Sequence, residues 1–172
     1  MSNQLWEFEG ISHIFTWDFN HLVITMADVE KILKCWDPID ADPNAFGGEI
    51  LSRLFKEHPE TLKSFPKFVN IPPADLAGNP AVLQHGGVVM RKLSEILKAK
   101  GNHGPILNPL AASHAKTHKV PLNNFRLITE IIAKVLGERG ILDAAGQNSL
   151  RNVMTSIIAE MEVTYKEVGF QG

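Results

Sequence analysis

The chain has little of several residue types, and each scarcity excludes a class of protein. Its 172 residues include one cysteine, Cys35, so no internal disulfide can form. The 17 Lys and Arg residues nearly balance the 19 Asp and Glu residues, and the net charge of −2 gives no broad basic surface for nucleic acid. No apolar run approaches the roughly 20 residues that span a bilayer. We therefore expect a globular, intracellular protein with no nucleic-acid partner and no membrane span.

The first 25 residues differ from the rest in composition. They contain five aromatic residues and three acids but no Lys or Arg, so they lack the positive start of a secretory signal and the arginines of a mitochondrial presequence. We interpret residues 1–25 as an extension that is poorly ordered or loosely docked, and residues 26–172 as the folded domain. Two alternatives stay open: a docking segment for a partner or a membrane surface, and a segment absent from the mature protein. We expect its deletion to leave folding and ligand binding intact.

From residue 28 onward, apolar residues recur at the spacing of α-helices. Two of these stripes are Val29, Ile32, Leu33 and Trp36 near the start, and Leu150, Val153, Met154, Ile157, Ile158 and Met161 near the end. Thr25 and Asp28 have capping-box spacing, and Asp42-Pro43 has the pattern of a helix start. No useful stretch alternates with period two. The pattern therefore predicts an all-α domain of seven or eight unequal helices.

Prolines set further boundaries. Asn79-Pro80 predicts the start of a long helix that runs to about Lys100. Three prolines predict that residues 66–79 are mostly loop, and two more confine a later helix to roughly 106–118.

Two histidines, His85 and His114, lie on the apolar faces of predicted helices. His85 follows Val82 by three residues and precedes Val89 by four, and His114 follows Leu110 by four. An unpaired buried polar group costs roughly 1–3 kcal/mol, so each imidazole needs a partner. One inward histidine is usually a hydrogen-bonded core residue, and that interpretation stays open. Two on different helices favour a shared metal or haem between them.

Several stretches resemble the globin family, in order and at the family's spacing. RLFKEHPETLKSFPKF at 53–68 resembles the second and third helices of a globin, LQHGGVVMRKL at 83–93 the helix of the distal histidine, and LNPLAASHAKTHKVPLNNFRLITE at 107–130 the helix of the proximal histidine. The ending TYKEVGFQG is similar to that of monomeric muscle globins, and the short stretch after Phe68 is of a fish type. The resemblance runs from Met26 to Gly172. It implies the globin fold, with seven to eight helices packed around haem b (iron protoporphyrin IX).

The resemblance assigns roles to individual residues. His114 matches the proximal iron ligand, whose other ring nitrogen would donate to Ser113 or to the carbonyl of Leu110. His85 matches the distal histidine, which would donate a hydrogen bond to dioxygen without binding the iron itself. Positions that match the walls of the gas and haem pocket are Leu51, Phe65, Val89, Val120, Phe125, Ile128 and Ile157. Positions that match groups beside the haem propionates are Lys67, Ser113 and His118.

Comparison with the family pattern gives one further match and two departures. Tyr165 matches a tyrosine that ties the last helix to the corner beside the haem. Phe125 stands where many members have leucine, which would narrow the rear of the pocket. Asp37-Pro38 replaces a glycine-containing turn and predicts a local bend after the first helix.

The resemblance implies a monomer that binds dioxygen reversibly, stores it and helps it diffuse through muscle cytoplasm. Carbon monoxide and nitric oxide would be further gas ligands, and nitrite reduction and pseudoperoxidase activity would be secondary. One alternative is a dedicated haem enzyme, but the arginine that peroxidases place beside the distal histidine is not evident, since Arg91 is almost two turns beyond His85. A second alternative has His85 bind the iron, as in cytoglobin-like globins suited to electron transfer, redox sensing or nitric-oxide scavenging.

Overall fold

The computed structural model describes residues 26–170, so the predicted extension at 1–25 lies outside the described residues, as do 171 and 172. Within 26–170 there are eight α-helices and no strand. Their bounds are 26–33 (α1), Asp37–Ala41 (α2), Pro43–Glu57 (α3), Pro73–Leu76 (α4), Pro80–Lys98 (α5), Gly104–Ser113 (α6), Leu122–Glu138 (α7) and Ala144–Glu167 (α8). A 3-10 helix, Pro59–Ser64, follows α3, and a π-helical turn, His114–His118, follows α6. The predicted all-α class is confirmed.

Side-chain caps mark where two of the longer helices, α3 and α5, begin. The Asp42 carboxylate accepts from the backbone N–H of Ala45 at 3.0 Å and starts α3. The Asn79 side-chain oxygen accepts from the N–H groups of Ala81 and Val82 and starts α5. Proline follows each cap at the first helical position, as the sequence pattern predicts.

Asp28 joins the first helix to the last. Its carboxylate accepts hydrogen bonds from Ser149 Oγ at 2.7 Å and Asn152 Nδ2 at 3.2 Å, both on α8. The predicted capping box stays a prediction, because its other member, Thr25, lies outside the described residues.

Three proline-based boundaries differ from prediction. Asp37-Pro38 does not simply bend the chain but begins the short helix α2, and the predicted loop at 66–79 contains the four-residue helix α4. The helix predicted at 106–118 begins earlier, at Gly104, and includes Pro109. Its last five residues wind as the π-helical turn. Proline is tolerated in the first turn of a helix, whereas Pro109 removes one backbone hydrogen bond from α6.

Helices α3 and α5 touch through their backbones. A Cβ atom added to Gly47 would overlap the carbonyl group of Gly86, and one added to Gly86 would overlap the carbonyl group of Gly47. Both glycines are buried. Because neither has a side chain, the two helices approach more closely than any other residue pair would allow. This contact places residue 85 of α5 next to the closest point of the crossing.

The helices enclose one apolar core, which includes Trp36, Leu51, Ile131 and Tyr165. Trp36 satisfies its indole N–H by donating to Ser94 Oγ at 2.7 Å. Among the described residues, no helix combines the length and apolar character that crossing a membrane requires.

Candidate functional site: histidines on α5 and on the π-helical turn

His85 stands on α5, half-buried against two aromatic rings. Its ring centroid lies 5.5 Å from that of Phe65 and 5.7 Å from that of Phe68, with interplanar angles of 89° and 78°. The two phenylalanine rings stack on each other at 6.0 Å. This pair of edge-to-face contacts restricts the orientations that the imidazole can adopt.

His114 is the first residue of the π-helical turn and is also half-buried. Its Nδ1 lies 2.8 Å from the carbonyl oxygen of Leu110, one helical turn earlier. Because a carbonyl only accepts, Nδ1 bears the proton and Nε2 keeps a free lone pair. The predicted partner of this ring nitrogen is Ser113 or the carbonyl of Leu110, and the structure shows the bond to Leu110. The ring also contacts Phe125, with a centroid separation of 5.3 Å, and His118, at 5.6 Å.

The pKa values of both histidines are lowered. Burial lowers the pKa of His85, and the positive charges of Lys67, His114 and His118 lower it further. Burial also lowers the pKa of His114, with a further contribution from His118, while the hydrogen bond to Leu110 acts in the opposite direction. Both imidazoles are therefore held in their neutral form near pH 7, which is the form that binds metals.

The other predicted site residues differ in their burial. Leu51 has no exposed surface, and Ile157 and Val120 are also buried. Half-buried positions are Phe65, Val89, Leu110, Ser113, Phe125 and Ile128. Lys67 and His118 are exposed. Ring contacts, a hydrogen bond and charge interactions join one or both histidines to Phe65, Leu110, Phe125, Lys67 and His118.

The predicted tie between the last helix and this region is confirmed. The Tyr165 hydroxyl donates to the carbonyl oxygen of Val120 at 2.9 Å, across 45 residues of chain. Tyr165 is almost wholly buried, and desolvation raises the pKa of its phenol to about 12. The bond attaches the segment after His118 to α8.

Sequence patterns did not single out Phe68, although this residue touches His85 as closely as Phe65 does. Phe68 is 2% exposed and also packs on Phe55. The signal was present in the motif Phe65-Pro66-Lys67-Phe68, which places two aromatic rings three residues apart around a cation.

Comparison with known proteins agrees with this architecture. The family model described as Globin matches residues 48–161, about two thirds of the chain. The chain belongs to the globin family. This globin is 59% identical to the myoglobin of Auxis rochei, 60% to that of Katsuwonus pelamis and 58% to that of Danio rerio, in each case over 147 residues. Each match covers 86% of this globin and the whole of the relative.

The residues of this globin fit a flat prosthetic group that contains iron and two carboxylates. His114 presents a neutral ring nitrogen with a free lone pair, and a charge on His114 would also lower the pKa of His85. Half-buried apolar side chains such as Phe65 and Phe125 are suited to cover a porphyrin, and the exposed donors of Lys67 and His118 are suited to its carboxylates.

Proposed function

We propose that this globin binds haem b and, through it, dioxygen, and that it stores dioxygen and helps it diffuse in muscle cytoplasm as a monomer. The observation that supports this most directly is that Nδ1 of His114 is engaged by Leu110, which leaves its Nε2 free, and that burial holds both His114 and His85 neutral. The relatives that are named myoglobin support the same function.

His114 is the residue we assign to the iron. Ferrous haem, when bound, supplies a site at which dioxygen binds reversibly. The carbonyl of Leu110 fixes the tautomer and the ring plane of His114 and makes its Nε2 a better donor of electron density. Phe125 packs beside the ring and limits its rotation.

His85 is the residue we assign to the gas. Its neutral ring has one N–H to donate, and Phe65 and Phe68 restrict where that N–H points. Hydrogen bonds to charged or strongly polar acceptors contribute about 1.5–3 kcal/mol, which corresponds to roughly a 10- to 150-fold slower release. Carbon monoxide is less polar when bound, so it gains less, and nitric oxide is a further gas ligand.

Lys67 and His118 are assigned to the haem carboxylates. Both side chains are exposed, so solvent screens their charge and each pair contributes at most about 1 kcal/mol. Ser113, half-buried beside His114, is placed to accept or donate a further hydrogen bond at the same edge.

Visible absorption spectroscopy of the purified, haem-loaded and reduced protein tests this function. We expect one broad band without oxygen that splits into two when oxygen is added, the signature of five-coordinate iron with a free site. Two sharp bands already present without oxygen would mean that His85 binds the iron, and the function would move to electron transfer, redox sensing or nitric-oxide scavenging.

Two substitutions test the roles of the histidines separately. His114→Ala should weaken haem retention more than tenfold, because the only assigned protein ligand is lost. His103→Ala is the matched control, since His103 pairs with Glu160 on α8 and should leave retention unchanged. His85→Leu should speed dioxygen release and autooxidation while haem retention persists. An unchanged release rate in His85→Leu would contradict its role.

Nitrite reductase and pseudoperoxidase activities are proposed as slow and secondary. Reduction of nitrite to nitric oxide and water takes two protons and one electron, which ferrous haem, when bound, would supply. The lowered pKa of His85 leaves few protonated rings to supply the protons near pH 7. The nearest arginine on α5, Arg91, donates to Asn44 on α3 and is not placed to assist peroxide cleavage at His85. Turnover with nitrite or peroxide that outpaced gas exchange would reverse this ranking.

Residues 26–172 are proposed to form the complete gas-binding domain. A chain that begins at Met26 should retain the spectrum and the dioxygen release rate of the full chain. Failure of the shortened chain to fold or to hold haem would refute this division.

A further inference from the structure

A polar contact crosses from α3 to α5 close to His85. Arg91 Nη1 donates to Asn44 Oδ1 at 3.1 Å. On α5, Arg91 follows Gly87 by four residues, so the two positions share one helix face. Gly87 is in turn two residues from His85, which places the two positions about 160° apart around the axis of α5. The contact therefore lies on nearly the opposite side of α5 from the distal histidine.

Gly87 leaves the space in which this contact forms. A Cβ atom at Gly87 would overlap Asn44 Oδ1 and would lie 3.1 Å from Arg91 Nη2. Glycine in the middle of a helix is unfavourable relative to alanine, so its presence there needs a packing reason. The Asn44 side chain, seated over the bare backbone of Gly87, is that reason.

We propose that Asn44, Gly87 and Arg91 form a clip that fixes the rotation of α5 against α3, and so the position of His85. The clip is the Asn44–Arg91 hydrogen bond together with the space left by Gly87. Asn44 and Arg91 are thus positioning residues. This inference rests on the role proposed above for His85.

The neighbouring contact explains why a clip is needed. Gly47 and Gly86 bring the two backbones together without any interlocking side chain, so that contact limits separation more than it limits rotation of α5 about its own axis. A side chain ends about 6 Å from the axis of its helix, so a rotation of about 10° moves the His85 ring by about 1 Å. A displacement of that size is enough to weaken a hydrogen bond substantially. A directed bond between α3 and a different side of α5 opposes this rotation, because α5 turns as one body.

The test uses the haem-loaded full chain and four variants. Asn44→Ala removes the acceptor, Asn44→Asp keeps an acceptor of the same shape, Gly87→Ala fills the space, and the double variant combines Asn44→Ala with Gly87→Ala. Lys92→Ala is the matched control, because Lys92 pairs with Glu95 at 2.6 Å inside α5 rather than with α3.

Three measurements are compared across these variants. They are amide hydrogen exchange at residues 85–90, the ring-proton NMR signals of His85, which the rings of Phe65 and Phe68 shift, and the dioxygen dissociation rate. The first reports on α5 whether or not dioxygen binds.

We expect Asn44→Ala to speed exchange at 85–90, to move the His85 signals and to raise the dissociation rate about two- to fivefold. Asn44→Asp should leave all three measurements at their parent values, because it keeps the acceptor. Gly87→Ala alone should change the three measurements in the same way as Asn44→Ala. In the double variant it should add no further change, because Asn44 Oδ1, with which the new Cβ would overlap, is absent. Lys92→Ala should change none of the three.

Two results would overturn the clip. One is exchange at 85–90 and His85 signals that stay at parent values in Asn44→Ala. The other is an effect of Gly87→Ala that is as large in the double variant as in the parent. If exchange and ring signals follow the expected pattern but no variant binds dioxygen reversibly, the clip stands and the proposed gas-binding function fails.

Discussion

The two histidines are held by walls of different construction. The distal wall, α3 and α5, is built on a backbone contact between two glycines, and its histidine is oriented by aromatic rings. The proximal wall, α6 with the π-helical turn and α7, is built around a ten-residue helix with an internal proline. Its histidine is oriented by a carbonyl of its own helix.

The difference in construction matches the different roles proposed for the two histidines. A residue that only donates a hydrogen bond to a gas must be placed accurately by its neighbours, which long, closely packed helices achieve. A residue that binds iron is also held by that bond, so its helix can be short and irregular. The π-helical turn ends at Lys119, which has the left-handed φ of 49°, and the Tyr165 bond to Val120 anchors the chain just beyond it.

Gly86→Ala should cause the largest loss of stability, because it forces the distal wall apart. The added Cβ would overlap the backbone of Gly47, and relief requires the helices to separate by about 1 Å or more. We expect the free energy of unfolding to fall by about 3 kcal/mol, measured by urea denaturation.

Gly104→Ala is the control on the proximal wall. A Cβ at Gly104 would meet nothing within 4 Å, so stability should change by less than about 1 kcal/mol. Equal losses at Gly86 and Gly104 would remove the contrast between the two walls.

Phe68→Leu should loosen His85 without separating the helices. The smaller side chain loses its ring contacts with Phe65 and His85, and we expect a loss of about 1–2 kcal/mol in stability. Dioxygen release, followed by stopped-flow spectroscopy, should become several-fold faster. Phe46→Leu on α3 is the control, since Phe46 is a half-buried phenylalanine that packs against the core. Equal dioxygen release rates in Phe68→Leu and Phe46→Leu would show that Phe68 does not orient the His85 ring.

Tyr165→Phe should weaken the proximal wall by about 1 kcal/mol, because the carbonyl of Val120 loses its hydrogen-bond donor. The parent should also show an alkaline transition that the variant lacks. Burial raises the pKa of Tyr165 to about 12, above its unfolded value of 10.0. The stability that depends on the neutral phenol is therefore complete below pH 10 and is lost as pH rises toward 12.

Urea denaturation of parent and variant at a series of pH values from about 8 upward checks this. The gap in stability between the two should narrow as pH rises above 10. If the difference in unfolding free energy between parent and variant does not change across this pH range, ionisation of Tyr165 is not coupled to unfolding as expected.

Glu160→Gln should have the smallest effect. Its carboxylate pairs with His103 Nε2 at 2.9 Å and joins α8 to the residue that precedes α6, but the glutamate is exposed. We expect a change of less than about 0.5 kcal/mol, reduced further by salt. Glu162→Gln, which breaks a pair with Lys166 inside α8, is the control. A loss above about 1 kcal/mol in Glu160→Gln alone would mean that this pair anchors the proximal wall.

Local pattern predicted much of this arrangement. Asn79 and Asp42 cap helices where their spacing indicated, and His85 and His114 are both half-buried, as the periodicity around them predicts. These features depend on residues within one or two helical turns.

Features that depend on distant residues were missed. Asp28 bonds to Ser149 on α8, and Phe68 meets His85 only after the chain has folded back. Likewise, the partner of Arg91 is 47 residues away on α3. Composition and periodicity do not encode such pairings, since they depend on how the helices cross.

The contact between Gly47 and Gly86 also bears on how the protein is assembled. Their separation along the chain, 86 − 47 = 39 residues, means that the crossing closes a long loop before it gains any packing energy. Long-range closures of this kind slow folding relative to contacts made within a helix or between adjacent helices. The proximal wall has a closure of the same kind, because the Tyr165 bond to Val120 joins residues 45 apart in the chain. When the whole chain refolds, a competent gas site should therefore appear only after both long-range closures have formed.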